Sequence, residues 1–514
     1  MEIMDKDIVI IGGGVVGCGV ARLMSAYETG VTVIERGHDV ADGASKANSG
    51  IVHAGFDAVP GSAKARFNVQ GARMYPALCE ELCVPFGMPG ALVLAFDGQG
   101  REIVQKLYKQ GLQNGVESLA LVDREELLYM EPNLNPEVLC GLSAATSGLV
   151  SPYELTYALA DHGAVNGVEF LRNTEVRRIE PLVGGFRLHT SAGIIGARCV
   201  VNCAGTDAPK LHNQISSYSL EAVARKGEYY LLDRMQPLPF TRTIFQTPTR
   251  MGKGVLVSPT VHGNLLLGPT AEDVEDGLDV STTAEALKQV IDKARLSWPK
   301  ASLQQVITSF AGVRAHEKGD DFLVGAVQGV PGAYEAVGIE SPGLTASPAI
   351  AEALRELIAG DMGLIPKKEW RPYPRVDKPF SAMTLDERIK AVERNRSHGN
   401  MVCRCEQVTE AEVRASVRRP AGARSIDGVK RRTRAGMGRC QGGFCSPRVL
   451  EILSEERGIS PLQVTKGADG SVLLTGEIAM TGDTPDCLLH SLREHSLMSG
   501  GTGVPAPDKE GMEC

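Results

Sequence analysis

The 514-residue chain has no run of 18 or more apolar residues, so no segment is expected to span a membrane. It begins MEIMDKDIVIIGGG, which runs straight into a strand without a basic n-region, so no secretory leader is expected either. It carries no excess of positive charge. The formal net charge of −8 argues against nucleic acid as a partner of the whole molecule. Internal repeats are absent too. What remains is ordinary for an α/β enzyme of two or three domains: 43% hydrophobic, 23% charged and rich in glycine, with 58 residues. Twelve cysteines in a chain with no export signal imply reduced thiols and a cytoplasmic setting, where they are free for metal or cluster chemistry.

Four of those cysteines stand apart. Cys403 and Cys405 in CRCE, and Cys440 and Cys445 in CQGGFC, form two close pairs that a short helical stretch would bring together. Four thiolates suit a [2Fe–2S] cluster or a structural zinc, and unliganded thiols are a third reading. Ser446-Pro447 and the apolar-periodic RVLEILSEERG predict a helix with Ser446 at the N-cap, its positive end aimed at Cys445, which favours an anionic cluster. Cys18, Cys140, Cys199 and Cys203 sit in apolar runs and are expected in the core. Cys79 and Cys83 lie four apart on a predicted helix without a clear ligand role.

At the other end, DIVIIGGGVVGCGVARLMSAYETGVTVIERG predicts strand, glycine turn, helix and strand. Gly12, Gly14 and Gly17 make GxGxxG at the turn: one glycine bends the chain, the next admits a pyrophosphate, and the third lets helix and strand pack. Glu35, at the end of the second strand, is spaced to take hydrogen bonds from a ribose. Three later segments would return to the same cofactor. GASKANSGIVHAGF offers Ser45 and Asn48, and ARCVVNCAGTDAP ends in Ala204-Gly205. GIESPGLTASPAIAEAL would place the backbone N–H groups of Gly343, Leu344 and Thr345 beside an anionic ring system. That pattern points to a buried flavin, FAD, rather than NAD.

With these motifs in view, the chain resembles the glycine-oxidase/glycerol-3-phosphate dehydrogenase superfamily of FAD enzymes. NSGIVHAGFDAVPGSAKARFNVQGARM and FAGVRAHEKGDDFLVG are most similar to the branch containing L-2-hydroxyglutarate dehydrogenase. CRCEQVTEAEV and VKRRTRAGMGRCQGGFC instead resemble the bacterioferritin-associated-ferredoxin-like domain on the catalytic subunit of anaerobic glycerol-3-phosphate dehydrogenase. The resemblance implies an α/β fold: a Rossmann-type FAD-binding domain with an inserted mixed-sheet substrate domain, plus a small helical [2Fe–2S] domain. The expected FAD parts are about 1–75, 145–215 and 310–365, and the substrate parts about 76–144 and 216–309. A linker would follow at 366–400, the cluster domain at 401–458, and a hairpin and disordered tail at 459–514.

Oxidation of a secondary alcohol needs a base, a hydride path and a cation for the substrate's anionic group. His53 is the expected base, because a histidine accepts a proton near neutral pH and the resembling families carry one at this motif position. Arg314 is the expected anion clamp. Arg225, Lys226 and His316 are weaker candidates for substrate contact, and His262 is expected in a turn. The basic stretch Arg414–Arg439, with Lys430, Arg431, Arg432 and Arg434, is read as moderating the cluster's charge or docking an electron-transfer partner. A solvated helix face is the plainer reading.

Two function classes follow. In the first, FAD takes a hydride from a small anionic substrate, glycerol 3-phosphate ahead of L-2-hydroxyglutarate and amino acids. Electrons then leave through the cluster to an acceptor subunit, an iron–sulfur protein or a second flavoprotein, and any membrane association would come from that partner. In the second, the chain is a redox-sensing or iron-handling binding protein with a vestigial flavin domain.

Overall fold

The structure, a computed structural model, describes residues 6–248, 254–374 and 377–476. Its centre is the strand Lys6–Ile11, hydrogen-bonded in parallel to Val31–Ile34 on one side and Gly193–Asn202 on the other. A strand flanked this way must be apolar on both faces, and Ile8, Val9 and Ile10 are fully buried. Each such side chain contributes roughly 1.5–3 kcal/mol relative to exposure. The sheet has eight strands. It is completed by the hairpin Val176–Leu182/Gly185–Thr190, by Glu169–Leu171, and by Leu323–Ala326 and Ala333–Val337.

The helices Val15–Met24, Ala63–Glu81 and Gly343–Met362 cover one face of this sheet. The last two cross so closely that a Cβ on Gly71 would lie 2.0 Å from the carbonyl oxygen of Thr345, so only glycine allows the crossing. The helix Gly343–Met362 ends at Gly363 with φ +60°, the left-handed C-terminal stop that glycine adopts without strain.

A second sheet of nine strands forms a roof. Its spine pairs Ala222–Leu232 antiparallel with Val306–Glu317, setting Arg225 opposite Arg314 and Gly227 opposite Gly312. The roof meets the nucleotide domain at Gly312, where a Cβ would fall 2.0 Å from the carbonyl oxygen of Ala47. The strand Val306–Glu317, expected from residue 310 onward in the flavin part, belongs to this roof instead. The reason is its eleven-residue ladder to Ala222–Leu232, a long-range pairing that local sequence does not encode.

The third unit holds the helices Glu410–Arg418, Ile426–Thr433 and Ser446–Arg457 around a small core of Val413, Val429, Ile452 and Leu453. Thr409 and Glu412 close the expected capping box on the first of these. On the last helix the N-cap is Cys445 rather than Ser446, which places Pro447 at the second helical position.

Residues 366–400 differ from a free linker. Trp370 stacks on His162 with centroids 4.6 Å apart and donates to Ser25 Oγ at 3.0 Å. Lys367 Nζ donates to the Asn166 carbonyl at 2.8 Å, and Leu385–Arg394 is a capped helix. The expected hairpin after Pro461 is reduced to a turn bridged at Thr465 and Val472, and residues 477–514 lie outside those described.

Candidate functional site

Between the nucleotide sheet and the roof lies a cavity of about 1180 Å³. Gly12 turns into it with φ +106°, and any Cβ there would strike the Cys203 carbonyl at 2.3 Å. A Cβ on Gly17 would meet the Gly12 carbonyl at 2.0 Å, so this glycine serves the helix–strand contact. Gly14, Glu35, Ser45, Asn48, Ala204, Gly205, Gly343 and Leu344 line the cavity. Several of these also brace one another. Ser45 Oγ accepts from the Val15 N–H at 2.9 Å at the start of the helix, and Asn48 Oδ1 accepts from Gly50 at 2.9 Å. The Glu35 carboxylate takes the N–H groups of Gly13 and Gly37, both at 2.6 Å. Burial still raises its pKa above the usual range.

Thr345 stands behind the cavity wall rather than in it. Its hydroxyl is fully buried, accepts from the His53 N–H at 2.9 Å and donates to the Ile51 carbonyl at 3.3 Å. Together with Asn68, whose amide donates to the His53 carbonyl at 3.0 Å, it fixes the histidine's backbone from both sides. The His53 ring is buried in the cavity wall, 5.8 Å from the ring of Phe245.

The roof supplies the cations. Arg314 enters the cavity and donates to the Thr270 carbonyl at 3.2 Å. Arg225 shares that face but is held bidentate by Asp273 at 2.6 and 3.2 Å. Lys226, one residue on, points to the opposite face, as strand alternation requires. Its ammonium is buried against Asp279 at 2.7 Å, away from the cavity. His316 is outside the lining as well, with Nδ1 2.9 Å from Glu340 Oε1. His262 pairs with Glu154 at 2.7 Å.

Tyr229, Phe245 and Lys64 are among the lining residues that were not foreseen. Tyr229, stacked on Phe310 at 4.8 Å, follows Arg225 and Gly227 on one strand face and was readable by alternation. Phe245 and Lys64 had no local signal. Lys64 Nζ bridges Glu340 at 2.8 Å and Asp320 at 2.7 Å at the cavity edge.

The four cysteines gather in two pairs. The Cys405 and Cys440 sulfurs are 3.9 Å apart, and Cys403 is hydrogen-bonded to Cys445. Among the described residues no three cysteine sulfurs lie within 4.8 Å of one another. A single tetrahedral zinc would need all four about equally close, whereas two irons bridged by sulfide take two thiolates each. The Cys445 thiol and nearby backbone N–H groups lower the Cys403 pKa, and the N–H groups of Phe444, Gly442 and Gly443 lower that of Cys440, while the Cys403 thiol raises that of Cys445 and burial and the Cys440 thiol raise that of Cys405. Gly438 is needed because a Cβ there would overlap the Cys405 Cβ at 2.3 Å.

The basic stretch beside the cysteines is turned inward. Arg432 forms a fully buried bidentate pair with Asp39, at 2.6 and 2.9 Å, and Arg431 donates to the Tyr157 hydroxyl at 2.8 Å. Arg434 reaches Glu406 at 2.7 Å and Asn264 at 3.2 Å. Arg419 pairs with Asp161 at 2.6 Å. Arg419, Arg431, Arg432 and Arg434 thus tie the small domain to the rest of the chain, while Arg418 and Arg439 of the same stretch stay exposed.

A cavity lined by a glycine-rich nucleotide turn, with histidine and arginine on facing walls and a paired-cysteine loop packed alongside, defines a flavin-dependent oxidoreductase with an attached iron–sulfur centre. The model of the FAD dependent oxidoreductase family matches residues 7–357, and that of the BFD-like [2Fe-2S] binding domain matches residues 401–455. The chain belongs to the FAD-dependent oxidoreductase family. It is similar to a glycerol 3-phosphate dehydrogenase of Caloramator mitchellensis, 44% identical over 471 residues that cover 91% of this chain and 98% of that protein. It is 33% identical to a glycerol 3-phosphate oxidase of Mycoplasma pneumoniae over 68% of this chain and 94% of the oxidase. The solved structure of L-alpha-glycerophosphate oxidase from Mycoplasma pneumoniae with FAD bound superposes with a TM-score of 0.69 at 31% identity, covering 73% of this chain and 99% of that one. The cofactors are FAD and a [2Fe–2S] cluster, and the cavity and the two thiol pairs fit them.

Proposed function

We propose that the chain oxidises glycerol 3-phosphate at its secondary hydroxyl, giving dihydroxyacetone phosphate, and passes the electrons through the small domain to a separate acceptor protein. The observation that carries this reading is the convergence of His53 and Arg314 on one cavity beside the nucleotide turn. When bound, FAD supplies the hydride acceptor and the cluster the one-electron relay.

The residues supply the rest. His53, its backbone held by Thr345 and Asn68, would accept the hydroxyl proton as the carbon loses its hydride. Arg314, whose guanidinium spends one donor on the Thr270 carbonyl, keeps others for a phosphate or carboxylate. Tyr229 and Phe245 close the wall with aromatic surface and exclude water. Ser45, Asn48, Ala204, Gly205, Gly343 and Leu344 would hold the cofactor, with Glu35 at its ribose end.

The similarity to the dehydrogenase extends along nearly all of both chains, whereas about a third of this chain has no counterpart in the oxidase. That difference supports disposal of electrons through the cluster rather than directly to oxygen. Among the described residues no helix is long and apolar enough to cross a membrane. The test is an anaerobic panel of glycerol 3-phosphate, L- and D-2-hydroxyglutarate, lactate and proline. Glycerol 3-phosphate should bleach the flavin fastest and at the lowest concentration. Faster bleaching by L-2-hydroxyglutarate would reassign the substrate.

A further inference from the structure

The cluster loop has an inner and an outer side. Cys403 and Cys445 are buried in the small domain's core, whereas Cys405 is exposed and Cys440 half-buried. Between Cys440 and Cys445 the side chain of Phe444 stands 89% exposed. Pro447, three residues on at the start of the following helix, is exposed as well. An aromatic ring held in water between two cluster ligands adds nothing to the core, which places its use at a surface contact.

The rim around Phe444 is asymmetric in charge. Three ion pairs there turn the guanidinium outward and the carboxylate inward. Arg439 is 76% exposed against 16% for Asp233, Arg234 41% against 3% for Glu406, and Arg448 42% against 8% for Glu410. Arg404, between the first two cysteines, is exposed as well. Glu451, 56% exposed beside Arg448, is the acidic exception. On a chain of net charge −8 this is a local reversal of sign.

The other side of the loop leads back to the flavin cavity. Tyr153 donates to Met437 Sδ at 3.6 Å, and Met437 precedes the Gly438 that packs on Cys405. Three residues before Tyr153, the Val150 N–H donates to the Gly50 carbonyl at 2.8 Å, and Ser49 and Asn48 beside Gly50 line the cavity. One side of the cluster loop is thus joined to the cavity wall, and Phe444 stands exposed on the loop itself.

Resting on the proposed function, we propose that the Phe444 face is the docking surface for the electron acceptor, and that this acceptor is an acidic one-electron carrier protein. Phe444 makes the dry central contact and Arg404, Arg439, Arg234 and Arg448 the rim, which sets encounter rate and salt dependence. One electron crosses from the cluster to the carrier's metal centre, which is reduced by one, and no atom is transferred.

The test needs no substrate, so it stands apart from the identity of the alcohol. Binding of the holoprotein to two small haem carriers, acidic cytochrome b5 and basic cytochrome c, is measured by calorimetry at about 10 and 200 mM salt. Cytochrome b5 should bind, and at least tenfold more weakly at the higher salt, while cytochrome c should not. Arg404→Glu should weaken cytochrome b5 at least tenfold, and Phe444→Ala should weaken it with its salt dependence intact, the cluster's visible spectrum staying unchanged in both. Preference of the wild-type protein for cytochrome c, or salt-independent binding of cytochrome b5, would overturn the proposal without any variant. So would a change in self-association on Phe444→Ala with cytochrome b5 binding unaltered, which would give the face to a second copy of this chain.

Discussion

At the scale of single residues, the roles proposed for His53 and Arg314 differ, and their substitutions should separate. His53→Ala removes the proposed proton acceptor and should lower kcat by roughly 10²–10⁴ with little change in KM. Arg314→Lys keeps the charge but loses the planar fork, so KM for glycerol 3-phosphate should rise more than kcat falls. Steady-state kinetics on both variants checks this, and a wild-type rate of flavin reduction in His53→Ala would move the base elsewhere. The contiguous part of this site was legible in the sequence, because GxGxxG, Ser45, Asn48 and Gly343 each sit in a local turn whose geometry their neighbours impose. The side of a strand on which a residue falls was less legible. Arg225 and Lys226 are adjacent, yet one lines the cavity and the other is buried on Asp279. Phe245 reaches the site through the parallel pairing of Thr243–Gln246 with Ala91–Ala95, a contact between distant segments.

At the scale of elements, the decisive contact joins the nucleotide loop to the helix Ile426–Thr433 through Asp39 and Arg432, both fully buried. Composition shows the arginines, but only the fold shows that Asp39, Asp42 and Asp161 wait for them. For that reason the sequence suggested an outward-facing basic patch and a loose linker. Removing Arg432 would leave the buried Asp39 carboxylate with only the longer 3.4 Å contact to Arg172, so Arg432→Met should cost up to about 3–5 kcal/mol. The loss would appear as a lower thermal midpoint and earlier release of FAD fluorescence. The pH dependence follows from the acid. Burial alone would raise the Asp39 pKa, but Arg432, Arg172 and Arg431 outweigh it and hold it below the usual range. A depressed folded-state pKa gives stability that is present above the unfolded value near about 4 and is lost as pH falls through the folded one. Stability should therefore decline on acidification below about pH 4, and the slope should be shallower in Asp39→Asn. Equal slopes would show that this carboxylate does not titrate with unfolding.

At the scale of the whole molecule, the two ends of the chain form one electron path. The nucleotide turn begins the fold and the paired cysteines close it, with the roof sheet above the cavity and the small domain clamped alongside. The two cofactor motifs were readable separately, since each is a local pattern with its own chemistry. Their rigid adjacency was not, because it rests on pairs such as Asp39–Arg432 and His38–Ser425, nearly 400 residues apart in sequence. If that adjacency serves electron transfer, reduction at the flavin must appear at the cluster within the same chain. The direct measurement mixes oxidised holoprotein with glycerol 3-phosphate in the absence of oxygen, follows flavin bleaching in the visible, and freezes samples for electron paramagnetic resonance. Bleaching should be followed by the spin signal of a reduced [2Fe–2S] cluster, and in Cys440→Ser the bleaching should persist while the signal disappears. A bleached flavin beside a cluster that stays oxidised in the wild-type protein would contradict the account.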